Sequence, residues 1–112
     1  MKKIFALLAV ALSFNAFAGN IEAGKAAAQK YNCASCHGAD YQSPVDPSYP
    51  KLAGQHADYI EHALTAYQRG AAGANGRGNA IMGGMAKPLS KKEISDIAAY
   101  LASLPGSLVV RK

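Results

Sequence analysis

Apolar positions recur at helical intervals in three stretches of this chain, and nowhere do they alternate as a half-buried strand requires. The last stretch is the clearest, with Ile94, Ile97, Ala98, Leu101 and Leu104 forming one stripe. Ser90 and Glu93, three residues apart, make a capping box at its start, Pro88 sits just ahead, and Pro105-Gly106 ends it. In the middle, Ile60, Leu64 and Tyr67 recur at intervals of four and three beside Ala57 and Ala63. They predict a helix over 55–69 that Gly70 stops. Near the start, Asn20 caps a helix from Ile21 to about Asn32, with Glu22 in its first turn and Ala26, Ala27 and Ala28 favouring it. Gly24 weakens that helix; either another element, with the last helix as the expected partner, approaches closely there, or the glycine is simply exposed. Residues 39–50, with Pro44, Pro47 and Pro50, read as ordered loop. Residues 70–79, rich in glycine and asparagine, read as a flexible loop that fits no phosphate-binding motif. The fold class is all-α.

The first eighteen residues stand apart from this pattern. Lys2 and Lys3 precede a short apolar run, Ile4 to Leu12, and Ala16-Phe17-Ala18 resembles an export cleavage site. The run is too short to span a bilayer, so the expectation is a signal peptide over 1–18 rather than an uncleaved anchor. A single domain over 19–112 follows, exported to the periplasm. No later stretch is apolar enough to cross a membrane.

Cleavage changes the composition. All three phenylalanines (Phe5, Phe14 and Phe17) leave with the leader, and the chain has no tryptophan, so its remaining aromatics are six tyrosines. Alanine and glycine bury little area each, and a domain this small already buries a modest share of its surface. A large apolar cofactor would supply the missing bulk. Losing Lys2 and Lys3 lowers the formal charge of +5 to +3. That mild excess suits docking to an acidic protein partner. Scattered basic residues without interleaved aromatics argue against nucleic acid.

The chemistry is concentrated in one string, Cys33-Ala34-Ser35-Cys36-His37, which holds both cysteines of the chain. C-x-x-C-H is the attachment pattern of a c-type haem. Two thiols three residues apart share one face of a helical turn and reach two vinyl groups of one porphyrin, and the histidine that follows lies under the ring, where it binds iron. A redox disulfide needs no adjacent histidine and favours a strand–helix context that is missing here. Structural zinc needs four ligands, and beyond this string only His56 and His62 offer nitrogen. One motif implies one haem. For the second axial position the candidates are Met82 and Met85, both expected in a loop before the last helix. A thioether ligand raises the reduction potential and leaves no open position for substrate.

With these residues in hand, the chain resembles a class I c-type cytochrome, most closely the small single-haem carriers of the bacterial periplasm. The likeness runs from the first helix with Gly24 through the Cys33–His37 motif, Pro50-Lys51-Leu52-Ala53-Gly54 and the Met82 stretch to the last helix with Tyr100. It implies a cytochrome c-like fold of three to five helices around one covalently bound haem. It further implies that the Pro50 carbonyl accepts the outer N–H of His37, that Leu52 packs on the ring, and that Met82, eight residues before Ser90, is the iron ligand ahead of Met85. Tyr67, Arg77 and Asn79 are candidates for the propionates. The expected function is a soluble, monomeric, non-enzymatic one-electron carrier between a membrane-bound donor and a terminal oxidase or reductase. The alternative is the haem subunit of a periplasmic dehydrogenase. A peroxidase or gas sensor would need an open sixth position, and no distal acid–base pair supports one.

Overall fold

The computed structural model describes residues 19–73 and 75–107. The expected leader over 1–18 lies outside the described residues. Five helices follow in order: α1 (Ile21–Lys30), α2 (Ala34–His37), α3 (Ala57–Arg69), α4 (Ala80–Ala86) and α5 (Lys91–Ser103). Among the described residues there is no strand, and no helix is long and apolar enough to cross a membrane.

Among the described helices, packing of α1 against α5 is the most extensive. Asn20 caps α1, its side chain accepting from the Ala23 N–H, while its own N–H donates to Asp96 Oδ1 on α5 at 2.8 Å. Lys92 Nζ holds the other carboxylate oxygen of Asp96 at 2.6 Å. Both bonds of the capping box at Ser90 are present. Gly24 is buried at the crossing, where a Cβ would overlap the Asp96 carbonyl oxygen and meet Tyr100 Cβ. Backbone sits on the far side, so neither helix can yield locally. Gly24→Ala is therefore expected to lose about 3 kcal/mol of stability in denaturant unfolding; a loss below about 1 kcal/mol would show that the helices slide apart freely.

Helix α1 ends two residues before the expected boundary, for a reason that matters to the site. Asn32 adopts φ 55°, the Asn32 N–H donates to the Gln29 carbonyl, and the Cys33 N–H donates to the Ala28 carbonyl. These are the two bonds of a Schellman stop, with asparagine in the left-handed position usually held by glycine. The stop turns the chain directly into the Cys33–His37 string. Gly38, at φ 90°, ends α2.

Tyr41 fixes the next segment. It is 3% exposed, meets the Tyr100 ring edge-on at 6.0 Å, and accepts the Leu52 and Ala53 N–H groups at its carbonyl. Its φ of 58° is costly for a tyrosine, by about 1 kcal/mol or more, and these contacts hold it there. Burial pushes its phenol up to about 12. The Gly54 N–H then donates to the Leu101 carbonyl of α5, so Pro50–Gly54 is strapped to the helical core. Two boundaries differ from expectation in the second half of the chain. Helix α3 starts at Ala57, after His56, and the Met82 stretch is helical rather than loop.

Candidate cofactor-binding site

A cavity of about 350 Å3 opens between α2, the Pro50–Leu52 segment, α3, α4 and α5. This lies within the size range of pockets that hold small ligands and cofactors. Its lining is mainly apolar, including Leu52, Ile60, Leu64, Ile97 and Leu101.

Cys33, Cys36 and His37 all line this cavity. Both thiols are free and partly buried, and burial pushes the Cys33 thiol up, which disfavours the thiolate needed for disulfide exchange. The His37 ring is 6% exposed and its Nδ1 lies 2.8 Å from the Pro50 carbonyl oxygen. A carbonyl only accepts, so Nδ1 donates in this bond, and in the neutral imidazole Nε2 then keeps its lone pair. Such a bond fixes ring orientation and raises the basicity of the free nitrogen. Tyr49 leans toward the same ring, with centroids 6.5 Å apart.

Met82 and Met85 also line the cavity, from α4. Gly83 and Gly84 lie between them. Two glycines in a seven-residue helix argue against it by propensity, but Asn79 caps it, accepting from the Met82 N–H at 2.9 Å. Ala86 at its other end is fully buried. Gln68 of α3 reaches across and donates to both the Ala86 and Leu89 carbonyls, at 2.9 and 2.7 Å. Sequence reasoning missed Gln68, because nothing in its local pattern distinguishes it from a solvated polar residue. The cap was detectable: asparagine stands three residues before Met82.

The three propionate candidates line the cavity as well. The side-chain oxygen of Asn79 is occupied by its capping bond. Arg77 lies 5.5 Å from the Tyr59 ring centre and 5.6 Å from that of Tyr67, and donates to the Tyr59 hydroxyl at 3.1 Å.

A thiol pair, an imidazole with its lone pair free, two thioethers and an apolar wall make a donor set that fits a covalently held haem and suits no hard divalent cation. Among the described residues no cluster of three or more histidine, cysteine, aspartate or glutamate side chains offers a rival metal site.

Comparison with known proteins agrees. The family described as Cytochrome c matches residues 21–105. Cytochrome c-554(548) of Halomonas halodenitrificans is 45% identical over 71 residues, covering 63% of this chain and 82% of that protein. Cytochrome c4 of Stutzerimonas stutzeri is 38% identical over 115 residues, covering 96% of this chain and 53% of the relative. The crystal structure of reduced recombinant cytochrome c4 from Pseudomonas stutzeri superposes with a TM-score of 0.69 at 38% identity, over 81% of this chain and 48% of that one. The chain thus spans about half the length of the cytochromes c4 it matches. With the motif, the fold and the relatives in agreement, this chain belongs to the cytochrome c family, whose cofactor is covalently bound haem c.

Proposed function

We propose that the chain is an exported one-electron carrier, a single domain over 19–112, with haem c tethered at Cys33 and Cys36 and its iron held by His37 and Met82. The observation that carries this reading is the His37–Pro50 bond, which leaves Nε2 as the free nitrogen of a buried imidazole in a cavity that also holds both thiols and a thioether. When bound, the haem supplies an Fe(III)/Fe(II) couple. The polypeptide does the rest. Pro50 and Tyr49 keep the His37 ring from turning, Asn79 and Gln68 hold α4 and its methionine in place, and Leu52, Ile97 and Leu101 exclude water. A rigid, dry site changes little between oxidation states, which is what rapid electron exchange requires.

Tyr59, Ile81 and Met85 line the cavity yet stay 49%, 58% and 38% exposed. They give the mouth an apolar rim suited to brief docking through a small interface. Its partners are redox proteins, a membrane-bound donor and a terminal acceptor, and the working form is a monomer.

Purified after expression in a host that attaches haem c, the protein is expected to carry the mass of one haem, run as a monomer, and titrate as a single one-electron couple. Rapid carbon monoxide binding to the reduced protein at neutral pH would remove Met82 from the iron. Tight co-purification with a large oxidoreductase subunit would make this chain a subunit of that enzyme instead.

A further inference from the structure

A second cleft, of about 440 Å3, lies between α3 and the glycine-rich segment that follows it. Tyr59, His62, Thr65 and Arg69 line it from the helix, and Asn75 and Arg77 from the glycine-rich segment. That segment folds back because the Arg77 N–H donates to the Ala66 carbonyl at 2.9 Å. The lining thus includes two guanidinium groups, an imidazole, two hydroxyls and an amide, and no carboxylate side chain; Asp58 and Glu61 of the same helix are not part of it. Among the described residues neither arginine is ion-paired; Arg77 is also a propionate candidate of the haem cavity, which leaves Arg69 as the guanidinium that lines the cleft alone.

We propose that this cleft binds a small multivalent oxyanion of the phosphate or sulfate class, and that its occupancy is coupled to the oxidation state of the haem iron through Arg77. The chemistry of the lining matches that ligand: guanidinium forks pair with tetrahedral oxyanions, and Thr65 and Asn75 add neutral donors. Arg77 already lies against the Tyr59 and Tyr67 rings and is bonded to the Tyr59 hydroxyl, so part of its side-chain freedom is spent before binding. The coupling has a geometric basis. Arg77 and Tyr59 line both the cleft and the haem cavity, whereas His62, Thr65 and Arg69 line the cleft alone. The ferric centre carries one more positive charge than the ferrous one, so the oxidised protein binds the anion more tightly. By linkage, the bound anion lowers the reduction potential. This coupling rests on the haem reading above; the binding does not.

The test uses the reduced, isotope-labelled holoprotein titrated with inorganic phosphate at constant ionic strength. Saturable shifts of the His62, Thr65 and Asn75 amides are expected. Arg69→Gln should weaken binding about tenfold or more, with the visible spectrum unchanged. In wild type the potential should fall as phosphate rises, by about 59 mV for each tenfold preference of the oxidised form, and Arg69→Gln should remove that response. Diffuse, non-saturating shifts, or an Arg69→Gln protein that binds as wild type does, would overturn the site. Binding with an unmoved potential would overturn the coupling. The spectrum reports separately on the haem, so a failed cleft and a failed cofactor site give different results.

Discussion

Without its haem, this chain is expected to be largely unfolded at 25 °C. Cys33→Ala/Cys36→Ala, or wild-type chain made without haem attachment, should show little far-UV helix signal and a collapsed range of NMR amide shifts. The reason lies in what the core contains. Of the twelve buried apolar residues among those described, six are alanines (Ala27, Ala28, Ala53, Ala66, Ala86 and Ala98). Only Tyr41, Ile60, Leu89, Ile94, Ile97 and Leu101 bring larger side chains. Five of the larger residues of the wall, Leu52, Ile60, Leu64, Ile97 and Leu101, face the cavity and would there lose their partner. At about 24 cal/mol per Å3 of unfilled core, a cavity of about 350 Å3 costs at most about 8 kcal/mol, since water can enter at its open mouth. Small domains have only about 5–15 kcal/mol of stability in total. A cost near that limit removes from about half to all of it. A haem-free chain with native-like shift dispersion would show that α1, α3 and α5 hold together on their own contacts.

How far the sequence reveals this arrangement depends on the range of the interaction. Ser90 with Glu93, the α5 stripe and Gly24 are local patterns, and the structure places each where the pattern implies. The thiols and His37 are equally local. Pro50 was reachable only by resemblance to the family, since the bond it makes to His37 spans thirteen residues of irregular chain. Helix α4 was not legible, because Gly83 and Gly84 outweigh the Asn79 cap in any count of local propensity, and the deciding contacts come from Gln68 and the burial of Ala86. Tyr41 was missed for the same kind of reason: its left-handed backbone is held by Tyr100, Leu52 and Ala53, which the sequence does not place beside it. The cleft on α3 likewise depends on a backbone bond from Arg77 to Ala66 across a segment whose composition suggests only flexibility.

Met82→Leu is expected to abolish the sulfur-to-iron charge-transfer band and lower the reduction potential on the order of 0.1 V or more, whereas Met85→Leu should keep the band. Both methionines line the cavity, so composition alone does not separate them. Their positions on α4 favour Met82. Met82 follows the Asn79 cap, with its own N–H held by the cap, and its side chain is only partly exposed. Met85 is 38% exposed at the rim. A soft thioether stabilises ferrous iron, and axial ligation sets the potentials of haem proteins over about 0.8 V, so losing the ligand should have a large effect. Leucine conserves most of methionine's volume, so the fold should survive with a loss below about 1.5 kcal/mol from packing, and unfolding curves will separate that loss from the ligand's own contribution. Gln68→Leu supplies a control on position, since it frees the Ala86 and Leu89 carbonyls that anchor the end of α4 without touching either sulfur. It should weaken the band and ease its displacement by added imidazole without abolishing it. The opposite pattern, with the band lost in Met85→Leu and kept in Met82→Leu, would transfer the ligand role to Met85. A band that survives both substitutions would remove sulfur ligation from α4 altogether.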